Sequence, residues 1–167
     1  MSRFLRIGLA ALALTFFSPS FAAAKDPLLD HLTGSWVLTG TIAGQPTTHD
    51  VTAEWILQNT YVRLSEVSRE KDKAGNPRYE AEVLLGYDPA KQRYVCFWYD
   101  VTGVAAPGSG GTAKRQGDTL PFVFESPDSD FRTTMAYDAK ADSWSWHMNM
   151  KEGAKLLPFA RVTLVRP

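Results

Sequence analysis

Residues able to do chemistry are few and scattered along this 167-residue chain. His31, His49 and His147 stand far apart, and no H-x-H, H-E-x-x-H or C-x-x-C spacing joins them, so spacing supports no metal site. Asp138-Ala139-Lys140-Ala141-Asp142 lacks the EF-hand pattern and reads as a hairpin loop. Gly108, Gly110 and Gly111 are not followed by G-K-[ST] or a helix start, which excludes a phosphate loop and favours a lid near one mouth of the fold. Cys96 lies between Val95 and Phe97 with nothing nearby to lower its pKa, the pattern of a buried, inert thiol. No G-x-S-x-G elbow occurs, and no Ser/His/Asp set stands out, so no catalytic residue is assigned. Arg63, Arg132 and Arg161 fall within strand-like runs. They either face water or, if one points inward, offer a charge-assisted hydrogen bond to the carboxylate of a fatty acid.

Chain length suggests a single domain around whatever site exists. A hydrophobic fraction of 44% excludes wholesale disorder, and a single cysteine excludes a disulfide scaffold. Eighteen basic residues balance eighteen acidic ones, so there is no electrostatic drive toward nucleic acid.

The first 24 residues differ from the rest. Arg3 and Arg6 precede an uncharged, mostly apolar run, Ile7 to Phe17, and Ala22-Ala23-Ala24 supplies small residues at a cleavage site. This is the three-part pattern of a secretory signal peptide, and its apolar run is too short to span a bilayer. The expected organisation is a signal over residues 1–24 and a domain over residues 25–167. The mature chain would be periplasmic or secreted, with no stable membrane anchor after cleavage. Two basic residues and no acid lie in the signal, so the mature chain would carry a net charge of −2, which again disfavours nucleic acid.

From Gly34 onward, short β-rich runs alternate with turn clusters. The expected strands are Ser35–Ala43, Thr48–Leu57, Tyr61–Glu70, Tyr79–Tyr87, Arg93–Val101, Thr112–Arg115, Leu120–Ser126, Phe131–Tyr137, Ser143–Lys151 and Leu156–Arg166. Asp26 and Pro27 predict a short helical turn ahead of them. Most joints have hairpin length. The prediction is therefore an all-β fold, a ten-stranded up-and-down antiparallel β-barrel with a short N-terminal helical turn. A Greek-key sandwich is the alternative, with 102–111 the one loop long enough for a crossover.

Period-two alternation places Trp144, Trp146, Met148 and Met150 on one face of their strand. The same rule aligns Phe131, Thr133, Met135 and Tyr137; Leu120, Phe122 and Phe124; Trp36, Leu38, Gly40 and Ile42; and Val51, Ala53, Trp55 and Leu57. Ten strands enclose more width than eight, and side chains, water or a ligand must fill it. Trp55, Phe122, Phe124, Met135, Trp144, Trp146 and Met148 are the candidate lining of an apolar, adaptable pocket, unless they are simply core.

Gly34-Ser35-Trp36, just after a helical turn, forms a G-x-W that resembles the lipocalin and wider calycin signature. Leu85-Gly86-Tyr87-Asp88-Pro89, Arg93-Tyr94, Gly117-Asp118-Thr119-Leu120 and the Trp-bearing penultimate strand extend the likeness over most of Leu29 to Arg166. Together they look like an uncharacterised family of bacterial lipocalin-like domains of unknown function. The resemblance implies a β-barrel with a possible small-molecule cavity. It also implies a structural Trp36 at the closed end, beneath a basic side chain from the last strand. Antiparallel pairing of the first and last strands makes Arg166 the better-placed partner. The G-x-W also resembles that of the haem-binding nitrobindins, but these supply a histidine from the last strand, and 156–166 has none.

The function expected from these readings is an exported lipocalin-like protein holding a small hydrophobic or amphipathic ligand inside the barrel, without a cofactor. The alternatives are an enzyme on the same barrel and a packed barrel acting through its surface. N-terminal sequencing of exported protein should begin at Lys25; a chain beginning at Met1 would refute the signal reading.

Overall fold

The computed structural model describes residues 24–104, 108–125 and 130–167. The signal expected over residues 1–24 therefore lies outside the described residues except for Ala24, as do the middle of the 102–111 loop and the turn expected at Pro127-Asp128. Ten strands form one closed antiparallel barrel: β1 (Gly34–Ile42), β2 (Gln45–Ile56), β3 (Tyr61–Ser68), β4 (Glu80–Asp88), β5 (Arg93–Asp100), β6 (Gly111–Ala113), β7 (Thr119–Phe124), β8 (Phe131–Asp138), β9 (Ser143–Glu152) and β10 (Lys155–Val165). Each strand pairs with its neighbours in sequence, and β10 returns to pair with β1 from Val37↔Val165 to Ile42↔Ala160. The sandwich is thereby excluded. No helix among the described residues is long and apolar enough to cross a membrane.

Local chemistry explains the strand ends. Ala43 and Gly44 both have positive φ, at 49° and 76°, so β1 and β2 join through a two-residue turn matched to strand twist. Pairing therefore continues to Ile42↔Gln45, and β2 starts earlier than the polar residues at its head suggested. Gly40 sits where β1 presses on β10: a Cβ there would lie 2.1 Å from the Arg161 carbonyl oxygen. The wall is not uniform. β6 is three residues long and meets β7 at the single pair Thr112↔Val123.

Alternation fills the interior. Trp36, Leu38, Val51, Val62, Leu64, Val83, Leu85, Leu120, Phe122, Met135, Trp144 and Trp146 are all buried. Two of the expected inward residues are exposed: β2 ends at Ile56 and Leu57 takes φ 48° in the turn, while Met150 lies near the end of β9, beyond the buried Met148.

A short helix, α1 (Pro27–Asp30), plugs one end. Asp26 caps it by accepting from the backbone N–H groups of Leu28 and Leu29 at 3.0 and 2.9 Å, and Pro27 occupies the first turn, where no donor is needed. Leu28, Leu29 and Leu32 are thereby driven fully into the core, each burial contributing roughly 1.5–3 kcal/mol. Trp36 Nε1 donates to the Leu32 carbonyl at 2.6 Å, and the Arg166 guanidinium carbon lies 3.5 Å from the Trp36 ring centroid. Arg166 also donates to the carbonyls of Thr33 and His31 at 2.8 and 3.3 Å and to Asp142 at 3.0 Å, which holds the Asp142 carboxyl below its usual range. Tyr94 donates to Asp26 Oδ2 at 2.8 Å, tying the cap to β5; burial first, then Asp26, push its phenol up to about 12.

Arg166→Ala removes both the cation–π contact and the carbonyl bonds. It should lower the unfolding free energy by about 1–3 kcal/mol. Urea denaturation with an unchanged slope would show this, and an unaltered midpoint would show that the contact carries no stability.

Candidate functional site

Among the described residues, the opposite end of the barrel is open. There the ends of β5 and β7, the starts of β8 and β10, and Tyr79 just before β4 surround a cavity of about 240 Å³. Its wall is aromatic. Phe131 meets Phe124 and Phe159 edge-on, with centroids 6.5 and 5.4 Å apart, and Met148 completes the apolar lining. Trp98 also lines it and packs edge-on against the fully buried Trp146, at 5.9 Å. Phe124 can stand where it does because residue 111 is glycine: a Cβ there would come within 2.8 Å of its ring.

Three polar side chains interrupt the wall. Trp98 Nε1 donates to the Tyr79 hydroxyl at 2.8 Å, and that hydroxyl donates onward to Asp100 Oδ2 at 3.3 Å. Burial first, then the Glu66 carboxylate, push the Tyr79 phenol up, so it remains a neutral hydroxyl. Thr133 is 1% exposed, and its hydroxyl has no hydrogen-bond partner among the described residues.

Beside this wall lies a buried polar chain. His49 and Glu66 point inward from β2 and β3, are 1% and 2% exposed, and hydrogen-bond through Nδ1 and Oε1. His49 Nε2 lies 2.6 Å from the Thr47 hydroxyl, which is 3.3 Å from Glu70 Oε2. The imidazole stacks on Tyr79 with centroids 5.5 Å apart. Glu66 Oε2 is buried without a partner among the described residues.

Of the seven candidate lining residues, Phe124 and Met148 reach the cavity. Phe122, Met135, Trp144 and Trp146 are buried in the packed middle and lower barrel. Trp55 is at the plugged end, where its Nε1 donates to Asp30 Oδ1 at 2.7 Å. None of the three strand arginines lines the cavity. Arg63 pairs with Glu54, and Arg161 donates to the carbonyls of Met148 and Ala160 and to Asn149 Oδ1. His147 is exposed, opposite in parity to Trp146 and Met148. Cys96 is fully buried, and burial pushes its thiol up. Of the glycines expected in a lid, Gly110 and Gly111 instead lie under the rings of Phe97 and Phe124. No group of three or more His, Cys, Asp or Glu able to hold a metal occurs among the described residues.

Sequence reasoning missed His49, Glu66, Tyr79, Trp98, Asp100 and Phe159. Parity was a sufficient signal for five of them. His49 shares its face with Val51 and Ala53, Glu66 with Val62 and Leu64, Tyr79 with Ala81 and Val83, and Trp98 and Asp100 with Tyr94 and Cys96. Phe159 had no such signal. It has the parity of the outward Arg161, and the irregularity between Pro158 and Ala160 lets it line the mouth.

A family model described as "Protein of unknown function (DUF1579)" matches residues 22–155, from ahead of α1 to the first residue of β10. No curated protein matches the chain.

His49→Leu leaves the buried Glu66 carboxyl without its partner and should cost about 3–5 kcal/mol of stability. The double variant His49→Leu/Glu66→Leu should recover most of that loss. Chemical denaturation of the single and double variants measures the coupling, and a double variant no more stable than the single one would contradict it.

Proposed function

We propose that this chain, a member of the DUF1579 family, is a binding protein that takes one compact apolar or amphipathic molecule into the open mouth of its barrel. One observation carries this reading: a barrel packed solid at one end keeps about 240 Å³ of aromatic-walled space at the other. Such a volume is below the roughly 300–1,000 Å³ of common ligand sites. It exceeds the roughly 150 Å³ of an apolar cavity known to take up benzene. A single small ring system with a short side chain matches it; a long acyl chain does not, because Trp146 and Phe122 occupy the space below. Export by a cleaved signal is part of the same proposal, supported by the charge and hydropathy pattern of residues 1–24. Binding needs no catalytic group, and the wall residues would act by shape and apolar contact.

Titration with 2-phenylethanol should change tryptophan emission saturably with one site per chain, since Trp98 lines the cavity. Met148→Trp, which fills the space, should weaken that binding at least tenfold while the thermal midpoint stays within a few degrees. Unchanged emission in the parent protein, or undiminished binding by a folded Met148→Trp, would overturn the reading.

A further inference from the structure

The polar groups of the mouth are unequal, and the inequality specifies a ligand charge. The indole and phenol donors are already committed: Trp98 Nε1 to the Tyr79 hydroxyl, and the Tyr79 hydroxyl to Asp100. Among the described residues the Thr133 hydroxyl is free to donate or accept, and beyond it what remains open is the acceptor capacity of Asp100. Asp100 Oδ1 accepts from the backbone N–H and hydroxyl of Thr102, but Oδ2 receives only the long 3.3 Å bond from Tyr79. An ionised carboxylate has roughly four lone-pair sites, so Asp100 can accept more. The Thr133 hydroxyl, 1% exposed and unpartnered among the described residues, lines the same cavity and can accept as well.

Charge points the same way. Among the described residues, no lysine, arginine or histidine lines the cavity, whereas a carboxylate does. Apart from Met148, the remaining wall is the aromatic surface of Trp98, Phe124, Phe131 and Phe159 beside Tyr79, whose π-faces attract positive charge. A ligand carboxylate would approach Asp100 with no cation to compensate it and would lose its water to aromatic carbon. An ammonium group meets the opposite situation: an acceptor pair for its N–H groups and π-faces around its carbon.

We infer that the mouth selects a compact organic cation, an amine carrying a small apolar or aromatic group, with Asp100 and Thr133 receiving its N–H bonds. This rests on the proposed binding function and assigns the ligand class. It also departs from the option of an inward arginine holding a fatty-acid carboxylate, one of the two readings open for Arg63, Arg132 and Arg161.

Three probes of matched shape test it by calorimetry at neutral pH: 2-phenylethylammonium, 2-phenylethanol and 3-phenylpropionate. The ammonium should bind at least tenfold tighter than the alcohol, and the carboxylate more weakly than the alcohol. Asp100→Asn, close to isosteric, should bring the ratio of ammonium to alcohol affinity near one, and Thr133→Val should reduce it in part. Alcohol binding without preference for the ammonium, or a carboxylate that binds as well as the ammonium, overturns the cation inference and leaves the binding function standing. Failure of all three probes overturns both. The ranking in the unmodified protein decides the matter even if Asp100→Asn does not fold.

Discussion

Pairing of the last strand with the first is the constraint from which the rest follows. Once β10 joins β1 there is no free edge, and the sheet must enclose a volume whose width is set by strand number. Every inward side chain then either contributes to filling that volume or leaves it empty. The chain uses both solutions, one at each end.

At the helical end the filling is complete. Two leucines from α1, Leu32 just after it, the G-x-W tryptophan and the arginine above it close the ring through contacts that are apolar inside and polar at the rim. Toward the other end the side chains do not meet across the middle, and space remains between aromatic rings. Polar residues accumulate there too. His49, Glu66 and Thr133 are nearly as inaccessible to solvent as the leucines, and two of the three keep an atom with no partner among the described residues. Orphaned polar atoms inside a barrel are costly, and the Nε1 donors of Trp144 and Trp146 are orphaned as well among the described residues.

The strands were legible because nearly all joints carry turn residues and nearly all runs alternate. The barrel followed from the shortness of those joints. The faces were legible too, since Trp36, Phe122, Trp144 and Trp146 sit on the buried side that parity assigns. The cavity was not. Whether Trp146 fills space or lines it depends on which side chains reach it from across the ring, and alternation along one strand carries no information about that. Phe159 needed knowledge of an irregular pairing, whereas Tyr79, the first residue of the expected fourth strand, shares the parity of the buried Ala81, Val83 and Leu85 and was within reach of the same rule. His49 and Glu66 were within reach of the parity rule, yet polar residues invite the assumption that they face water.

The thin part of the wall has a consequence for how the molecule moves. Between β5 and β7 the sheet is held by a three-residue strand with one paired position on its far side. Local opening costs least where the fewest backbone bonds must be broken, so amide hydrogens along this strip would exchange ahead of those in β1, β9 or β10. Phe124 sits at the end of β7, against this strip. Among the described residues the closed sheet thus has one seam, held by the fewest backbone pairs of any junction in the ring.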